Sequence, residues 1–489
     1  MARYEENTSA QGLFLSINLE TQFDNASREY ILKQYISDHL DEKLFDYAYK
    51  NDHTGRKIKN PKDVTAAILY GYMTGNRSSR KIESMLKHHI GFMYVSNCLE
   101  IDHSVLCEFK IKFQDQIEFI FGQMLYVLNS MGAIDWDLIM GDGTKLKAYA
   151  SRDMNIGKDK TKVILKTYKK MAHKIVERDL ELEKEYEHGN IPDKKYNEEK
   201  SRIERQKRKY ESTISKIEAF VHSDEEELKK KLKTQYVNIT DPDSKIMTGS
   251  SRRHFIQGYN ALMMLSNNDV VLSVDPVTDS EKKYADIMVH RVEELKRKLE
   301  VKHNSKYMFD SGFQDIEKIL KLQEEGYDMY VATKEKDFTA KSQKRKNFSV
   351  VTKGDDFYLE CKGGTKAKGY YYPSSKKVYF NFYQEKCKSC YNYKECYSKI
   401  SIKTPSKMVN FNILELTSKD KIESYLQKMQ SSQGSKIYSR RLGKEHVFAN
   451  IKTQRNYLQT YYRGGKKVKM DIYWAALAQN MHKYVMSMR

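Results

Sequence analysis

The sequence lacks long apolar runs and has few cysteines. No stretch of about 18 residues is apolar and free of charge, so no membrane-spanning helix is expected. The first residues, MARYEENTSAQG, show no charged segment followed by an apolar one, so no secretory signal is expected. Six cysteines among 489 residues are too few for a disulfide framework, which predicts a protein of the reducing cytoplasm. No internal repeat or long low-complexity linker is present.

Positive charge is in clear excess. Lys and Arg number 86 and Asp and Glu 66, which gives a net charge of +20 and a pI near 9.2. Such a balance favours binding of a polyanion, and DNA and RNA are the commonest ones. Basic residues collect in runs at 341–346 (KSQKRK) and 463–469 (RGGKKVK). The length allows roughly two to four domains with a large core.

A set of polar side chains near the carboxyl end shares one helical spacing. Counted from the first of them, the offsets are 0, 3, 7 and 14 for Tyr438, Arg441, Glu445 and Lys452. At about 100° per residue, these four fall within roughly 60° of one another on a helix. The spacing alone leaves two interpretations, a solvated charged face with an Arg441–Glu445 pair or a functional face.

The order Tyr, two residues, Arg, three residues, Glu, six residues, Lys resembles the signature of bacterial insertion-sequence transposases of the DDE type. The resemblance implies an RNase H-like catalytic core in which Glu445 is the third metal-binding carboxylate. The string that starts at Asp142 (DGTKLKA) resembles the first catalytic block of this family. Asp310-Ser-Gly-Phe resembles the second block, which usually reads Asp-Ala-Gly-Tyr. Residues 69–83 and 102–109 resemble the amino-terminal domain of the same transposases, without the usual proline before Asp102.

Both aspartates follow a short β-prone run. Residues 138–140 (LIM) precede Gly141 and Asp142, and residues 306–309 (KYMF) precede Asp310, so each acid is predicted at the carboxyl end of a strand. An Asp in such a place is also a common turn former. Three other acids compete with Asp310 for the second position, although they lack its context: Asp275, Asp279 and Asp286.

The resemblance implies two-metal cleavage of DNA strands and their transfer to target DNA. Two Mg²⁺ ions about 4 Å apart, for which Mn²⁺ can substitute, would stabilise the attacking and leaving oxygens, and such hard cations take carboxylate oxygens. Asp142 is expected to bridge them, while Asp310 and Glu445 each hold one. The residues expected to contact DNA phosphates on the same helical face are Tyr438, Arg441 and Lys452. The implied partners are double-stranded DNA at the element ends and at the target, bound by a homodimer at the cytoplasmic nucleoid and not at a membrane.

The predicted fold class is α/β. It comprises an RNase H-like mixed-sheet core with an inserted helical hairpin and a Cys-containing insertion, preceded by an all-helical amino-terminal domain. The predicted boundaries are 1–130 for the helical, DNA-binding domain, 131–335 and 416–489 for the core, 157–235 for the hairpin and 336–415 for the insertion.

Two short helices about a glycine turn in the amino-terminal domain suit a helix-turn-helix. The residues expected to contact the element ends there are Arg77, Arg80 and Lys81. A helical bundle that only supports the core is the alternative.

Four cysteines of the insertion form a candidate metal site. Cys361, Cys387, Cys390 and Cys396 are separated by 25, 2 and 5 residues. A Cys-x2-Cys pair with two further thiolates can hold a structural Zn²⁺ ion, and free buried thiols are the alternative.

Two other functions fit the same residues. One is a nuclease of this fold that needs the same metals but performs no strand transfer. The other is a non-catalytic DNA-binding protein, a domesticated or decayed relative. The complete set of three acids favours the enzyme, because a decayed copy would be free to lose them.

Overall fold

The computed structural model describes residues 18–49, 58–157, 161–221, 236–249, 254–332, 348–354, 356–388, 390–391, 393 and 406–489. The basic run at 341–346 and Cys396 lie outside these residues. The chain forms two compact units. Unit 1 consists of Met1–Asp135, Gly143–Asp279 and Glu445–Arg489, and unit 2 of Trp136–Asp142 and Ser280–Lys444.

Unit 1 begins with short helices. They are α1 Leu19–Gln22, α2 Arg28–His39, α3 Lys43–Asp46, α4 Pro61–Met73, α5 Ser79–His88, α6 Ile90–Val95, α7 His103–Lys112 and α8 Gln116–Ser130. Pro61 begins α4, where the missing N–H is not needed, and the Asn60 side chain accepts a hydrogen bond from the Lys62 N–H. Gly75, with a φ of +75°, ends this helix in a left-handed conformation that glycine adopts without strain. The predicted pair of helices about a glycine turn is therefore present as α4 and α5.

Two long helices of unit 1 form a hairpin. Helix α9 is Thr161–Glu187 and α10 is Asp193–Val221. The rings of Tyr186 and Tyr196 stack at 4.0 Å near the turn, and Lys200 of α10 reaches Asp179 of α9 at 2.8 Å. These contacts connect the two helices of the hairpin at its turn and along its length.

The strands of unit 1 form an antiparallel arrangement. Strand β1 is Leu138–Lys147, β2 Asn155–Ile156, β3 Val237–Asn238, β4 Lys245–Thr248, β5 Phe255–Leu265 and β6 Val271–Val277. The second half of β1 belongs to this unit and lies beside β5, which pairs antiparallel with β4 and β6. Asp269, with a φ of +70°, lies in the turn between β5 and β6, and these two strands form a β-hairpin.

The carboxyl-terminal helices complete unit 1. They are α17 Glu445–Lys452 and α18 Gly465–Met488. Helix α18 is buried over most of its length. Its Asn480 side chain donates to the Val271 carbonyl and accepts from the Val271 N–H, each at 2.8 Å, which completes the hydrogen bonding of β6 as a neighbouring strand would.

Unit 2 contains a parallel set of three strands. The first half of β1 pairs with β7, Lys306–Phe309, which in turn pairs with β8, Asp328–Val331. The helices that belong to this part are α11 Ala285–Lys298, α12 Ile316–Glu324, α15 Lys419–Gln430 and α16 Ser432–Ser439. The Tyr425 hydroxyl of α15 accepts from the Val331 N–H and donates to its carbonyl, which fixes this helix on the edge of β8.

A second sheet in unit 2 is antiparallel. Its strands are β9 Phe348–Lys353, β10 Asp356–Cys361, β11 Lys366–Tyr372, β12 Lys377–Tyr383 and β13 Ser406–Asn412. They lie in the order β13-β12-β11-β10-β9. The short helix α13, Gln384–Cys387, follows β12, and α14, Ile413–Thr417, follows β13. One face of the sheet packs around a buried apolar cluster that includes Leu359, Val378 and Phe380. The sequence analysis assigned no strands here.

The predicted α/β fold class is confirmed: the chain combines a helical amino-terminal region with the mixed parallel and antiparallel pairing of an RNase H-like core. In the part of the chain that the structure describes, no helix is both long enough and apolar enough to cross a membrane.

Candidate active site

Asp142 and Asp310 lie next to each other in unit 2 because their strands are paired. Gly141 of β1 stands opposite Phe309 of β7 in a parallel register. The next residues, Asp142 and Asp310, are therefore neighbours at the same level of the two strands. Asp310 ends its strand as predicted, and its carboxylate accepts a hydrogen bond of 2.8 Å from the Gly312 N–H. The two sequence-predicted aspartates are thus brought together.

The prediction that β1 ends before Asp142 is wrong. The strand continues through Asp142 to Lys147, because Thr144 and Leu146 are buried while Lys147 is exposed, which is the alternation of a half-buried strand. Asp142 is therefore held on a regular strand and not on a turn.

Arg441 lies between the two carboxylates. Its Nη2 atom is 3.2 Å from an Asp142 oxygen and 4.0 Å from an Asp310 oxygen. The three side chains are between 18 and 28% exposed, so they are partly shielded from water. Burial by itself would lower the pKa of Arg441, but the interactions of the guanidinium with Asp142, Tyr438 and Asp310 outweigh it and raise this pKa above its ordinary value. The guanidinium therefore remains charged.

One donor of Arg441 has no acceptor. Its Nε atom is buried and has no hydrogen-bond partner among the described residues. A buried donor without an acceptor is destabilising, so this N–H is available to an acceptor that enters the site.

Tyr438 lies beside Arg441 and packs on the parallel strands. Its ring contacts the buried cluster of Leu138, Met308 and Tyr330. Burial raises the pKa of the Tyr438 hydroxyl, although Arg441 counteracts this effect. The hydroxyl therefore remains protonated near neutral pH.

The four signature residues do not lie on one continuous α-helix, contrary to the prediction. Helix α16 ends at Ser439, a 3₁₀ turn spans Arg440–Lys444, and α17 begins at Glu445. Gly443 lies within this turn, and glycine disfavours a continuous α-helix by about 1 kcal/mol relative to alanine. The division between the units falls at the same place, so Tyr438 and Arg441 belong to unit 2.

Glu445 and Lys452 are the first and last residues of α17, in unit 1. The Glu445 side chain lies outside the described side chains, so its approach to the two aspartates stays a prediction. Lys452 is half-buried, and its role at DNA is likewise a prediction.

Glu281 is an acid of this region that the sequence analysis missed. A Cβ atom added to Gly312 would collide with a Glu281 carboxylate oxygen and lie 2.9 Å from an Asp310 oxygen. Glycine is therefore needed where these two carboxylates approach the chain. The competing acid Asp286 is instead bound to Lys318 at 2.5 Å. No local pattern in the sequence marks Glu281, because its proximity to Asp310 arises only on folding.

The prediction that Arg77 contacts DNA is wrong. Its side chain is 1% exposed and forms an ion pair with Asp471 at 3.4 Å. It also donates to the carbonyls of Asn456 and Gln459, at 3.1 and 2.7 Å, and lies over the ring of Tyr457. Every part of this guanidinium is used inside unit 1, which leaves none for a phosphate.

The other two predicted DNA contacts of this region, Arg80 and Lys81, are exposed on α5. Their position is compatible with the predicted role, which stays a prediction.

Three of the four predicted zinc ligands come together. Cys361, Cys387 and Cys390 line one small cavity at the end of the antiparallel sheet, and Cys396 lies outside the described residues. None of these three forms a disulfide. A shared cavity of thiols suits a thiolate-bound ion, so zinc binding stays a prediction.

A further group of possible metal ligands lies in the amino-terminal helices of unit 1. Oxygen or nitrogen atoms of Glu83, Asp102 and His103 lie within 4.8 Å of one another. The Nδ1 atom of His103 is 2.7 Å from Glu83, and Asp102 accepts from the Ser104 N–H at the start of α7. These contacts join α5 to α7 and explain the group without an ion.

Comparison with known proteins identifies two domains. Residues 360–485 match the family model described as Transposase DDE domain, and residues 17–112 match the one described as Transposase domain (DUF772). No curated protein and no solved structure matches the chain. The first match includes Arg441 and Glu445, and the second includes α4 and α5. Two separate parts of the chain are therefore similar to transposase domains, and the carboxyl-terminal one is similar to a DDE domain.

Proposed function

We propose that the chain binds the terminal inverted repeats of an insertion sequence, cleaves a DNA strand there and transfers it to target DNA. The observation that carries this proposal is the position of Arg441 between Asp142 and Asp310. Such a reaction would take place in the cytoplasm at the nucleoid, on two element ends held by a homodimer.

The donor set fits divalent metal ions. Asp142 and Asp310 leave adjacent strands, and both approach one positive charge. Two carboxylates so close would repel each other without a cation, and carboxylate oxygens are the ligands that Mg²⁺ and Mn²⁺ prefer. Glu445 would be the third ligand. When bound, such ions activate the attacking oxygen and stabilise the charge on the leaving one.

Arg441 would position the phosphate that is cut. One edge of its guanidinium is held by Asp142, while the buried Nε–H has no acceptor. A phosphate oxygen would satisfy this donor, and charge-assisted hydrogen bonds of this kind are both strong and directional.

Neighbouring residues would add further contacts to the DNA. Tyr438, whose raised pKa keeps its hydroxyl protonated, can donate to a second phosphate oxygen. Lys452, Arg80 and Lys81 would bind the DNA backbone as simple positive charges.

The test incubates the protein with end DNA and Mg²⁺ and follows strand cleavage. The substitution Asp142→Asn keeps the shape of the side chain and removes its charge, so cleavage should fall by about 10³-fold, since metal-ion catalysis supplies several kcal/mol. Asp286→Asn is the matched control, because Asp286 is held by Lys318, and it should cleave at the wild-type rate. Cleavage that survives in Asp142→Asn would overturn the assignment.

A second assay separates the related functions. Precut ends incubated with target plasmid should become joined to it, whereas a nuclease of the same fold would cut ends without joining them. A protein that binds ends but neither cuts nor joins them would be a non-catalytic relative. Short inverted repeats in the DNA that flanks the gene are the corresponding genetic observation.

We also propose that the cysteine cavity holds a structural Zn²⁺ ion, with Cys396 as the fourth ligand. Purified protein should contain one zinc per chain by mass spectrometry of the metal. Cys387→Ser should remove that zinc, whereas Cys98→Ser, at an exposed residue of unit 1, should retain it.

A further inference from the structure

The antiparallel sheet of unit 2 has one packed face and one exposed face. Alternate side chains of a strand point to opposite sides, and Leu359, Ala367 and Val378 define the buried side. The opposite side carries a group that we name the tyrosine face: Tyr358, Lys368, Tyr370, Tyr372, Lys377 and Tyr379.

The tyrosine rings of this face are close together and open to solvent. Tyr370 stands directly opposite Tyr379 on the neighbouring strand, and the rings of Tyr372 and Tyr379 meet edge to face at 5.1 Å. Tyr370 is 58% and Tyr372 54% exposed. Successive outward residues of a strand are roughly 7 Å apart, so these two present separate ring surfaces. A cluster of exposed aromatic rings of this kind marks a binding surface.

The charge of the tyrosine face selects an anionic partner. Lys377 stands opposite Tyr372 and is exposed. Lys368 pairs across the strands with Asp356 at 2.6 Å, so its charge is only partly neutralised at the surface. Positive charge beside flat aromatic rings matches a polymer that has both phosphates and accessible aromatic bases. Duplex DNA offers the phosphates but keeps the faces of its bases stacked inside.

We propose that the tyrosine face binds an unpaired DNA strand, with bases stacked on Tyr370 and Tyr372 and a phosphate at Lys377. The inference rests on the proposed function only in taking DNA as the partner, and it assigns a second surface, separate in sequence from the carboxylates. A reaction that cuts and joins strands generates such unpaired segments.

The test measures binding of fluorescein-labelled oligothymidine by fluorescence anisotropy, in EDTA so that cleavage plays no part. An oligonucleotide of about 20 nucleotides exceeds the usual site size. The double variant Tyr370→Ala/Tyr372→Ala should bind it more weakly by roughly 5- to 100-fold for each ring lost. The corresponding Phe variant retains both ring surfaces and should bind as the wild type does.

Tyr371→Ala is the matched control. Tyr371 is also exposed, at 49%, but it stands opposite the inward-facing Val378, so its loss should leave oligothymidine binding unchanged. A duplex of the same length should bind equally to all variants. The proposal is overturned if the double Ala variant binds within twofold of wild type, if the Phe variant loses binding, or if duplex and single-strand affinity fall together. Asp142→Asn should lose cleavage yet keep oligothymidine binding, which separates a failure of this proposal from a failure of the cleavage site.

Discussion

Each unit contains an arginine between buried or partly buried acceptors, and the two arginines differ in how completely they are used. Arg77 in unit 1 is almost fully buried, binds Asp471 and two carbonyls, and lies over a tyrosine ring. Arg441 in unit 2 touches two carboxylates, remains partly exposed, and retains a donor without an acceptor. The first arrangement is complete within the protein, while the second leaves one buried donor without an acceptor in the described part of the chain.

The comparison shows how an ion pair that is fully satisfied within the protein differs from one that is not. Asp471 also accepts hydrogen bonds from Tyr72, Tyr457 and Thr460, so its charge is fully compensated. Buried charges that are satisfied in this way hold elements together. Two acids that share one partly exposed arginine instead retain excess negative charge, which suits a metal ion.

The largest effect is expected at the buried ion pair of Arg77 and Asp471. Arg77→Ala should lower the free energy of unfolding by about 3–5 kcal/mol, because it leaves the buried Asp471 charge without its partner. Urea unfolding followed by circular dichroism measures this. Arg80→Ala, on the same helix but exposed, should change the midpoint little. Equal midpoints for the two variants would contradict the structural role of Arg77.

A substitution of Arg441 should have the opposite effect, lowering activity while leaving stability nearly unchanged. Arg441→Ala should weaken end binding and cleavage by about 10- to 100-fold, the value of a hydrogen bond to a charged group, and leave the urea midpoint nearly unchanged. Arg441→Lys should restore only part of the activity, because lysine cannot present two parallel donors. A variant that cleaves normally removes Arg441 from the site.

A smaller effect is expected at Glu281. If this acid adds negative charge beside Asp310, then Glu281→Gln should raise the Mg²⁺ concentration for half-maximal cleavage by about tenfold, as residues that support metal ligands do. The control Asp286→Asn should leave the Mg²⁺ dependence unchanged. An identical Mg²⁺ titration for Glu281→Gln and wild type would limit the site to the three predicted acids.

The smallest effect concerns pH and the contact between α5 and α7. The hydrogen bond from His103 lowers the pKa of Glu83 from its ordinary value of 4.5. A depressed carboxyl pKa contributes stability that is present above the ordinary pKa and is lost as the pH falls through the lowered one. Urea midpoints measured from pH 6 to pH 3 should therefore fall less steeply for Glu83→Gln than for wild type. Parallel curves would show that this contact does not contribute.

Local patterns in the sequence predicted the elements that carry the site. The β-prone runs before Asp142 and Asp310 are strands β1 and β7. Strand β1 extends beyond its apolar run because Thr144 and Leu146 are buried and alternate with more exposed residues. The antiparallel sheet of unit 2 was not predicted. In its strand β12, the buried residues Val378, Phe380 and Phe382 alternate with more exposed ones, which is the pattern of a half-buried strand.

Contacts between distant parts of the chain could not be predicted in this way. The partner of Arg77 is 394 residues away in sequence, so its burial leaves no local signal, and an arginine in a helical turn looks free to bind DNA. The break between Tyr438 and Glu445 follows from the glycine at 443 and from the change of unit at 445, which helical spacing ignores. Helical spacing predicted one continuous helix from Tyr438 to Lys452, whereas the chain leaves α-helical geometry at Arg440–Lys444.

The unsatisfied Nε–H of Arg441 has a thermodynamic consequence. A donor that meets its acceptor only in the complex links substrate binding to folding, because any ligand that supplies the missing oxygen stabilises the folded state alone. At a concentration one hundred times its dissociation constant, such a ligand adds about 2.7 kcal/mol. If the proposed function is correct, unit 2 should therefore melt at a higher temperature when a phosphodiester binds at Arg441.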